Sequence, residues 1–497
     1  MSTSLLPPFL YTQAQARELD RQAIAAGTAG AVLMQRAGRA AFELLRECWP
    51  AAKRLAVYCG AGNNGGDAYV VARLALEAGL EVHLYQASPT DRLKGDALAM
   101  AQQTLALPGL QLMEAVARPE VDVIVDGLLG IGIQSAPRPE MAALIRHING
   151  AGVPVFALDL PSGLDGDTGH APGEAVQADV TITFIAVKQG LMTGQGKALA
   201  GRLYFDDLQL PERLLTSLIP QTQLMRQQDI SRLLPPRRRD AHKGQMGHVL
   251  LVGGDHGYGG AIIMAAQAAL RAGAGLVSVL TRSAHVAPLL ARQPEIMVQA
   301  IDDAKIPDAL LARASVLVLG PGLGQGEWGR ALFARLQDAP LPQLLDADAL
   351  NLLAVSDQWQ RREDRILTPH PGEAGRLLGC DTAALVANRF EATMRLQQYF
   401  GGAVLLKGAG TLVAANEQPL TLIPSGNPGM ATGGMGDVLS GIIGGLLAQG
   451  LSAFDATRLG ALVHGLAADA AVAKQGERGL AATDLLPWIS PLLNGIH

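Results

Sequence analysis

RLAVYCGAGNNGGD, residues 54–67, decides the fold. Arg54 to Cys59 is a short apolar run with strand-forming residues. Gly60, Gly62, Gly65 and Gly66 then break it with a turn, and the apolar, alanine-rich AYVVARLALEAGL that follows has helical composition. A strand that ends in a glycine-rich turn and feeds a helix is the repeating unit of α/β proteins. The pattern continues outward. EVHLYQA (81–87), VDVIVDG (121–127) and VPVFALDL (153–160) read as further strands. Helical stretches fall through Leu76, near 95–106 and near 139–149. Upstream, Thr12 and Gln15 match a capping box, and helical periodicity runs from there, with a glycine break, to about Cys48. Apolar strands at this spacing imply a parallel sheet covered on both faces.

A chain of 497 residues is too long for one core, since single cores stop growing near ~250–300 residues. The strand–helix pattern fades after Leu210, in a segment rich in Pro, Gln and Arg. A second series then begins: HVLLVGG (248–254), LVSVLTR (276–282), ASVLVLGPG (314–322), PQLLDADAL (342–350), RILTPHP (365–371), GAVLLKGAG (402–410) and TLVAAN (411–416). We therefore expect two domains, 1–218 and 219–497, each a three-layer αβα unit. Net charge is only −5, which excludes a nucleic-acid-binding composition. The cluster Arg237-Arg238-Arg239 reads as solvated linker, and Lys243 either meets a phosphate or stays exposed. Three scattered cysteines form neither a disulfide framework nor a zinc site and suit a reducing cytosol. No signal peptide is legible, and no apolar run reaches membrane-spanning length, so we expect a cytoplasmic protein that binds no membrane.

The GxGxxG at Gly60, Gly62 and Gly65 lets a backbone approach phosphate at a helix N-terminus, but such turns recur in many folds. The second strand ends in Gln86 and Ala87 rather than in an acid that would hold a ribose, which counts against an ordinary NAD-dependent dehydrogenase. Asn63, Asn64 and Asp67 could bind a cation or a sugar hydroxyl. Two later strands end in Asp126 and Asp159. C-terminal strand ends gather at one crevice, so Asn64, Asp126, Asp159 and Ser162 would meet in one oxygen-lined pocket; any one carboxylate alone reads better as a helix cap, and it is the set of strand ends with matching chemistry that favours the site.

GNNGGD, VDGLLGIG (125–132) and LDLPSGLDGDTG (158–169) together resemble the NAD(P)H-hydrate epimerase domain, over roughly residues 10–215. The resemblance implies a Rossmann-like fold and potassium held by Asn64, Asp126 and Ser162. It implies hydrate contacts at Asn63, Asn64, Gly65, Gly66 and Asp67, at Gly130, Ile131, Gly132, Ile133, Gln134, Ser135 and Ala136, and at Asp159. Asp159 is the candidate general acid and base. The family usually has glycine after GNNGGD, where this chain has Ala68.

The second half lacks a Walker motif. NPGMATGGMGDVLSG (427–441) instead sets glycines before Asp437 at the start of an apolar helix, an arrangement for an anion hole with an adjacent base. A glycine turn capped by Asp437 is the structural alternative. GPGLG (320–324), LTPHPGE (367–373), LLKGAGT (405–411) and HKGQMGHVLLVGG (242–254) accompany it. The set resembles the NAD(P)H-hydrate dehydratase domain, of ribokinase-like fold, over about 225–495. It implies hydrate contacts at Ala261, Gly322, His370 and Asp437, nucleotide contacts at Lys407, Gly408, Ala409, Gly410, Thr411 and Gly436, and ADP as the nucleotide. Asp437 is the candidate catalytic base. Glu373 and Asp346 either reach magnesium through water or serve as caps. The joint expectation is repair of hydrated NADH and NADPH, with homo-oligomeric association. The alternatives are a ribokinase-like vitamin kinase, and a first domain that binds without catalysing.

Overall fold

Alternation along residues 54–59 sorts the first strand onto two faces. Leu55, Val57 and Cys59 join one buried cluster, and Ala56 and Tyr58 join another. The computed structural model describes residues 6–113, 120–132 and 135–496, and the chain divides into two compact units, Met1–Thr222 and Gln223–His497.

In the first unit, α1 (Gln13–Ala25) opens on the Thr12–Gln15 capping box. The Gln15 N–H donates to Thr12 Oγ1 at 3.2 Å and the Thr12 N–H to Gln15 Oε1 at 3.1 Å. Gly27, at φ 102°, supplies the break before α2 (Gly30–Cys48). The sheet strands are β1 (Arg54–Cys59), β2 (Glu81–Gln86), β3 (Gln111–Met113), β4 (Val123–Gly127), β5 (Val155–Leu158), β6 (Val180–Phe184) and β7 (Arg202–Asp206). Their spatial order is 3-2-1-4-5-6-7, and every pairing is parallel. Helices α2, α3 (Asn63–Glu77) and α4 (Gly95–Leu105) cover the face carrying Leu55 and Val57, and α5 (Pro139–Asn149) covers the other. Strand order reverses between β1 and β4. A doubly wound sheet opens a crevice at that point, between the turns after Cys59 and after Gly127.

The second unit is built on β8 (His248–Val252), β9 (Leu276–Thr281), β10 (Met297–Ala300), β11 (Val316–Leu319), β12 (Gln343–Leu345), β13 (Arg365–Leu367), β14 (Ala403–Leu406), β15 (Thr411–Ala415) and β16 (Leu420–Ile423). Their order is 16-15-14-13-12-11-8-9-10. Pairing is parallel from β10 across to β14, and β14–β15 and β15–β16 are antiparallel, because short turns reverse the chain there. Strands β10 and β16 were not legible in the sequence. α6 (Gly259–Arg271), α9 (Met435–Ala448) and α10 (Ala453–Gln475) pack on Val249, Leu251 and Val318. α7 (Pro371–Leu378) and α8 (Arg389–Phe400) lie on the face of Leu250, Leu319 and Leu406. α9 comes so close to α6 that a Cβ at Gly441 would run into the Ala265 carbonyl.

The three arginines of the linker cluster are exposed, as the solvated reading had it, and two of them also find partners. Arg237 is tied down: its guanidinium donates to the Gly273 carbonyl at 2.6 Å and to Gln449 Oε1 at 2.7 Å. Arg238 pairs with Asp240.

Candidate functional sites

The crevice of the first unit holds a cavity of about 580 Å³. Of the residues singled out in the sequence, Asn63, Asn64, Asp67, Gly130, Ile131, Gly132 and Asp159 line it. Gly65 and Gly66 do not. They pack inward, where a Cβ on Gly65 would run into the Gly60 backbone and one on Gly66 into Met34. Ala68, where the family usually has glycine, has a fully buried methyl that lies close over Gly127. Ser135 and Ala136 stand outside the lining; Ala136 packs near Gly173. Ile133 and Gln134 lie outside the described residues.

Behind the cavity wall, oxygens converge. Ser162 Oγ donates to Asp126 Oδ1 at 2.6 Å, and the Ser162 N–H donates to Asp126 Oδ2 at 2.8 Å. The Leu129 N–H donates to Ser162 Oγ at 2.8 Å, while Asn64 Nδ2 donates to the Leu129 carbonyl at 2.9 Å. Asn64 Oδ1 is buried and has no hydrogen-bond partner. Buried amide oxygens are rarely left so, because the desolvation goes uncompensated. Burial also pushes the Asp126 carboxyl up to about 6, with Ser162 holding it down in part. An unpaired amide oxygen beside a buried carboxylate, a hydroxyl and a carbonyl is an all-oxygen donor set suited to a hard monovalent cation.

Asp159 projects from the end of β5 with φ 61°, a strained conformation for a non-glycine residue. Its Oδ1 accepts from Thr183 Oγ1 at 3.1 Å and the Phe184 N–H at 3.2 Å, and forms an ion pair with Lys188. Lys188 is only 2% exposed and lines the cavity, with its ammonium also on the Phe184 carbonyl at 3.0 Å. The sequence reading missed Lys188, since an isolated lysine 29 residues downstream carries no local signal. Asp20, Asp96 and Arg17 also line the cavity. Burial, and then the charges of Asp159 and Asp20, hold the Asp67 carboxyl well above the usual range.

In the second unit Asp437 sits in the first turn of α9, and Gly434 at φ 90°, not Asp437, is the N-cap. Burial first, and then the charge of Asp346, pushes the Asp437 carboxyl up to about 7. Asp346, fully buried, receives Lys407 Nζ at 2.6 Å and Ser440 Oγ at 2.7 Å. Against the burial that would lower it, Asp346 and Glu373 keep the Lys407 ammonium above its ordinary value. Gly436 faces this pair, and a Cβ there would lie 3.2 Å from Lys407 Nζ. Glu373 acts as a cap: its Oε2 accepts the His370 N–H at 2.8 Å, and burial pushes the carboxyl up to about 7. His370 closes the same capping box by accepting the Gly372 N–H at 3.0 Å. Gly322, at φ 61°, faces Ala261, and a Cβ on it would lie 3.2 Å from the Ala261 methyl. The turn at Gly434 rests on Met264 of α6. Lys407 to Thr411 form the loop from β14 into β15, with Thr411 Oγ1 on the Gly408 carbonyl at 3.1 Å. Among the described residues, no three His, Cys, Asp or Glu side chains converge on a metal. Nor is any helix there long and apolar enough to cross a membrane.

Comparison with known proteins gives the same division. A family model described as YjeF-related protein N-terminus matches residues 30–190, and one described as NAD(P)H-hydrate dehydratase matches residues 249–491. The bifunctional NAD(P)H-hydrate repair enzyme of Coxiella burnetii is 49% identical over 490 residues, covering 98% of this chain and 99% of its own. That of Escherichia coli is 48% identical over 464 residues, covering 93% and 89%. Among solved structures, the ADP/ATP-dependent NAD(P)H-hydrate dehydratase of Bacillus subtilis, co-crystallised with ATP and Mg2+, aligns with a TM-score of 0.50 at 28% identity. The match covers 55% of this chain and 98% of that one. A ribokinase-like superfamily protein of Enterococcus faecalis aligns with a TM-score of 0.52 at 27% identity, over 56% and 98%.

Proposed function

The chain belongs to the bifunctional NAD(P)H-hydrate repair enzymes, and from that premise we propose how its two units divide the work. Residues 1–218 interconvert the R and S forms of hydrated NADH and NADPH at C6. Residues 219–497 return the S form to NAD(P)H at the expense of ADP. The observation that carries this reading is the pairing of two separate carboxylate sites, Asp159 with Lys188 and Asp437 with the Asp346–Lys407 pair.

In the first site the C6 hydroxyl leaves and returns on the opposite face, which inverts the centre without a redox partner. Loss of hydroxide leaves positive charge on the ring, and Asp20, Asp96 and Asp159 line the cavity that would hold it. Asp159 and Lys188 carry the proton to and from the departing oxygen. Asn64, Asp126 and Ser162 hold potassium, which when bound supplies a fixed positive charge that orders the two glycine-rich turns.

In the second site, Asp437 takes the proton of the C6 hydroxyl as the terminal phosphoryl group of ADP transfers to that oxygen. The C6–O bond then breaks, phosphate departs, and loss of the C5 proton restores the C5=C6 double bond, leaving AMP. Phosphate is a far better leaving group than hydroxide. Lys407 to Thr411 and Gly436 hold the nucleotide; Ala261, Gly322 and His370 border the hydrate. Magnesium characteristically rides on nucleotide phosphates with few protein carboxylates, a pattern that Asp346 and Glu373 suit through water. Full-length protein forms a homo-oligomer, which light scattering measures directly.

The test is to supply a mixture of R and S NADH hydrate with ADP and magnesium and follow the returning dihydronicotinamide absorbance. Conversion of the whole mixture, faster than spontaneous epimerisation, is expected. A halt once the S form is consumed would reduce the first unit to a binding module. No conversion with ADP or ATP would favour the vitamin-kinase alternative.

A further inference from the structure

Arg389, the first residue of α8, is 3% exposed and stands outside every contact assigned to substrate above. Its guanidinium spans the base of the loop that follows β14. Nη1 donates to the carbonyls of Ala409 at 2.5 Å and Gly410 at 3.1 Å, and Nη2 to those of Leu406 at 3.3 Å and Lys407 at 3.2 Å. A buried cation needs dipoles to replace its water, and one rigid planar fork here gathers four carbonyls. Burial lowers its pKa only to about 10, so it stays charged at neutral pH. Gly408, at φ 141°, lies against the fork, where a Cβ would come within 2.8 Å of Nη2.

The geometry has a covalent consequence. A trans peptide points its C=O and N–H in opposite directions. Drawing the Lys407 carbonyl toward Arg389 therefore turns the Gly408 N–H away from it. The same clasp fixes the backbone of Lys407, whose ammonium meets Asp346 beside Gly436. We propose that Arg389 is a positioning residue for the nucleotide: it presets the 406–410 backbone so that loop N–H groups and the Lys407 ammonium meet the phosphates without reorganisation. The inference rests on the reading of this loop as the nucleotide-binding segment. A preset loop spares the ordering cost that a slack loop would take out of binding.

The test uses full-length wild type, R389K and R389M, with dehydratase rates measured against ADP at saturating hydrate and against hydrate at saturating ADP. R389M is expected to raise the KM for ADP by about tenfold or more while kcat stays within about threefold. R389K, which keeps a charge and some of the carbonyl contacts, is expected to fall between R389M and wild type. The KM for hydrate and the epimerase rate should not move. An ADP KM in R389M within twofold of wild type overturns the proposal. So does an equal loss in kcat and both KM values with no recovery in R389K, because that is the signature of general destabilisation. Calorimetric titration with ADP alone separates this inference from the functional reading. Wild type that binds ADP but does not dehydrate hydrate refutes the reading, while weaker ADP binding by R389M still supports the clasp and unchanged binding still sinks it.

Discussion

Replacing Asp437 by Asn should remove the dehydratase activity and stabilise the second unit in neutral and alkaline solution. Burial and the charge of Asp346 disfavour the ionised form of Asp437 and push its carboxyl in the folded protein up to about 7, from about 3.8 for a free aspartate side chain. The folded state therefore holds the proton through a pH range in which the unfolded chain has lost it. Stability from this group is complete below about 3.8, falls as pH rises, and is gone above about 7. The gap of about 3 pKa units corresponds to about 4 kcal/mol at 1.36 kcal/mol per unit, and partial solvent screening brings the expectation to about 2–4 kcal/mol. Asn carries no proton to lose. Thermal melts of ligand-free wild type and D437N should therefore coincide most closely near pH 4 and below, and diverge by several degrees near pH 8, with the variant higher. The same pKa governs catalysis, since the base must be ionised to accept the hydroxyl proton. Wild-type kcat/KM for the hydrate should fall about tenfold per pH unit below 7. D437N should lose about 10²- to 10⁴-fold at pH 8 and show no such limb. A variant within threefold of wild type, or a melting difference that ignores pH, would refute the assignment of Asp437 as a buried, proton-accepting base.

Three further outcomes are expected. Lys188→Met leaves the Asp159 carboxylate buried without its cation; it should destabilise the first unit by about 3–5 kcal/mol in denaturant titrations and abolish epimerisation while the dehydratase persists. Ser162→Ala strips Asp126 of a 2.6 Å hydrogen bond, and should weaken epimerase activity and its response to potassium in a potassium–sodium series at constant ionic strength. Thr12→Ala breaks the capping box of α1 at a cost of about 1 kcal/mol, measured by urea unfolding, without altering either activity at 25 °C.

The sequence by itself determined what is local. Glycine spacing after apolar runs marked β1 and the helix it feeds. Thr12 and Gln15 marked a helix start, and the strand ends at Asp126 and Asp159 marked where chemistry gathers. These signals are readable because a turn, a cap or a strand is set by residues a few positions apart. Only the tertiary structure decided which distant parts meet. It placed β4 beside β1 so that Asn64 reaches Leu129, paired Asp159 with Lys188, and seated Lys407 on Asp346 across 61 residues of sequence. It turned Glu373 and His370 into the two halves of one cap, and sent Gly65 inward to pack while its neighbour Asn64 faced the cavity. It reversed the chain at β15 and β16, and it put Arg389 beneath a loop that begins 18 residues later. Such pairings depend on where a sheet brings the chain back, and burial then sets their electrostatics. Neither quantity is a property of any short window of sequence.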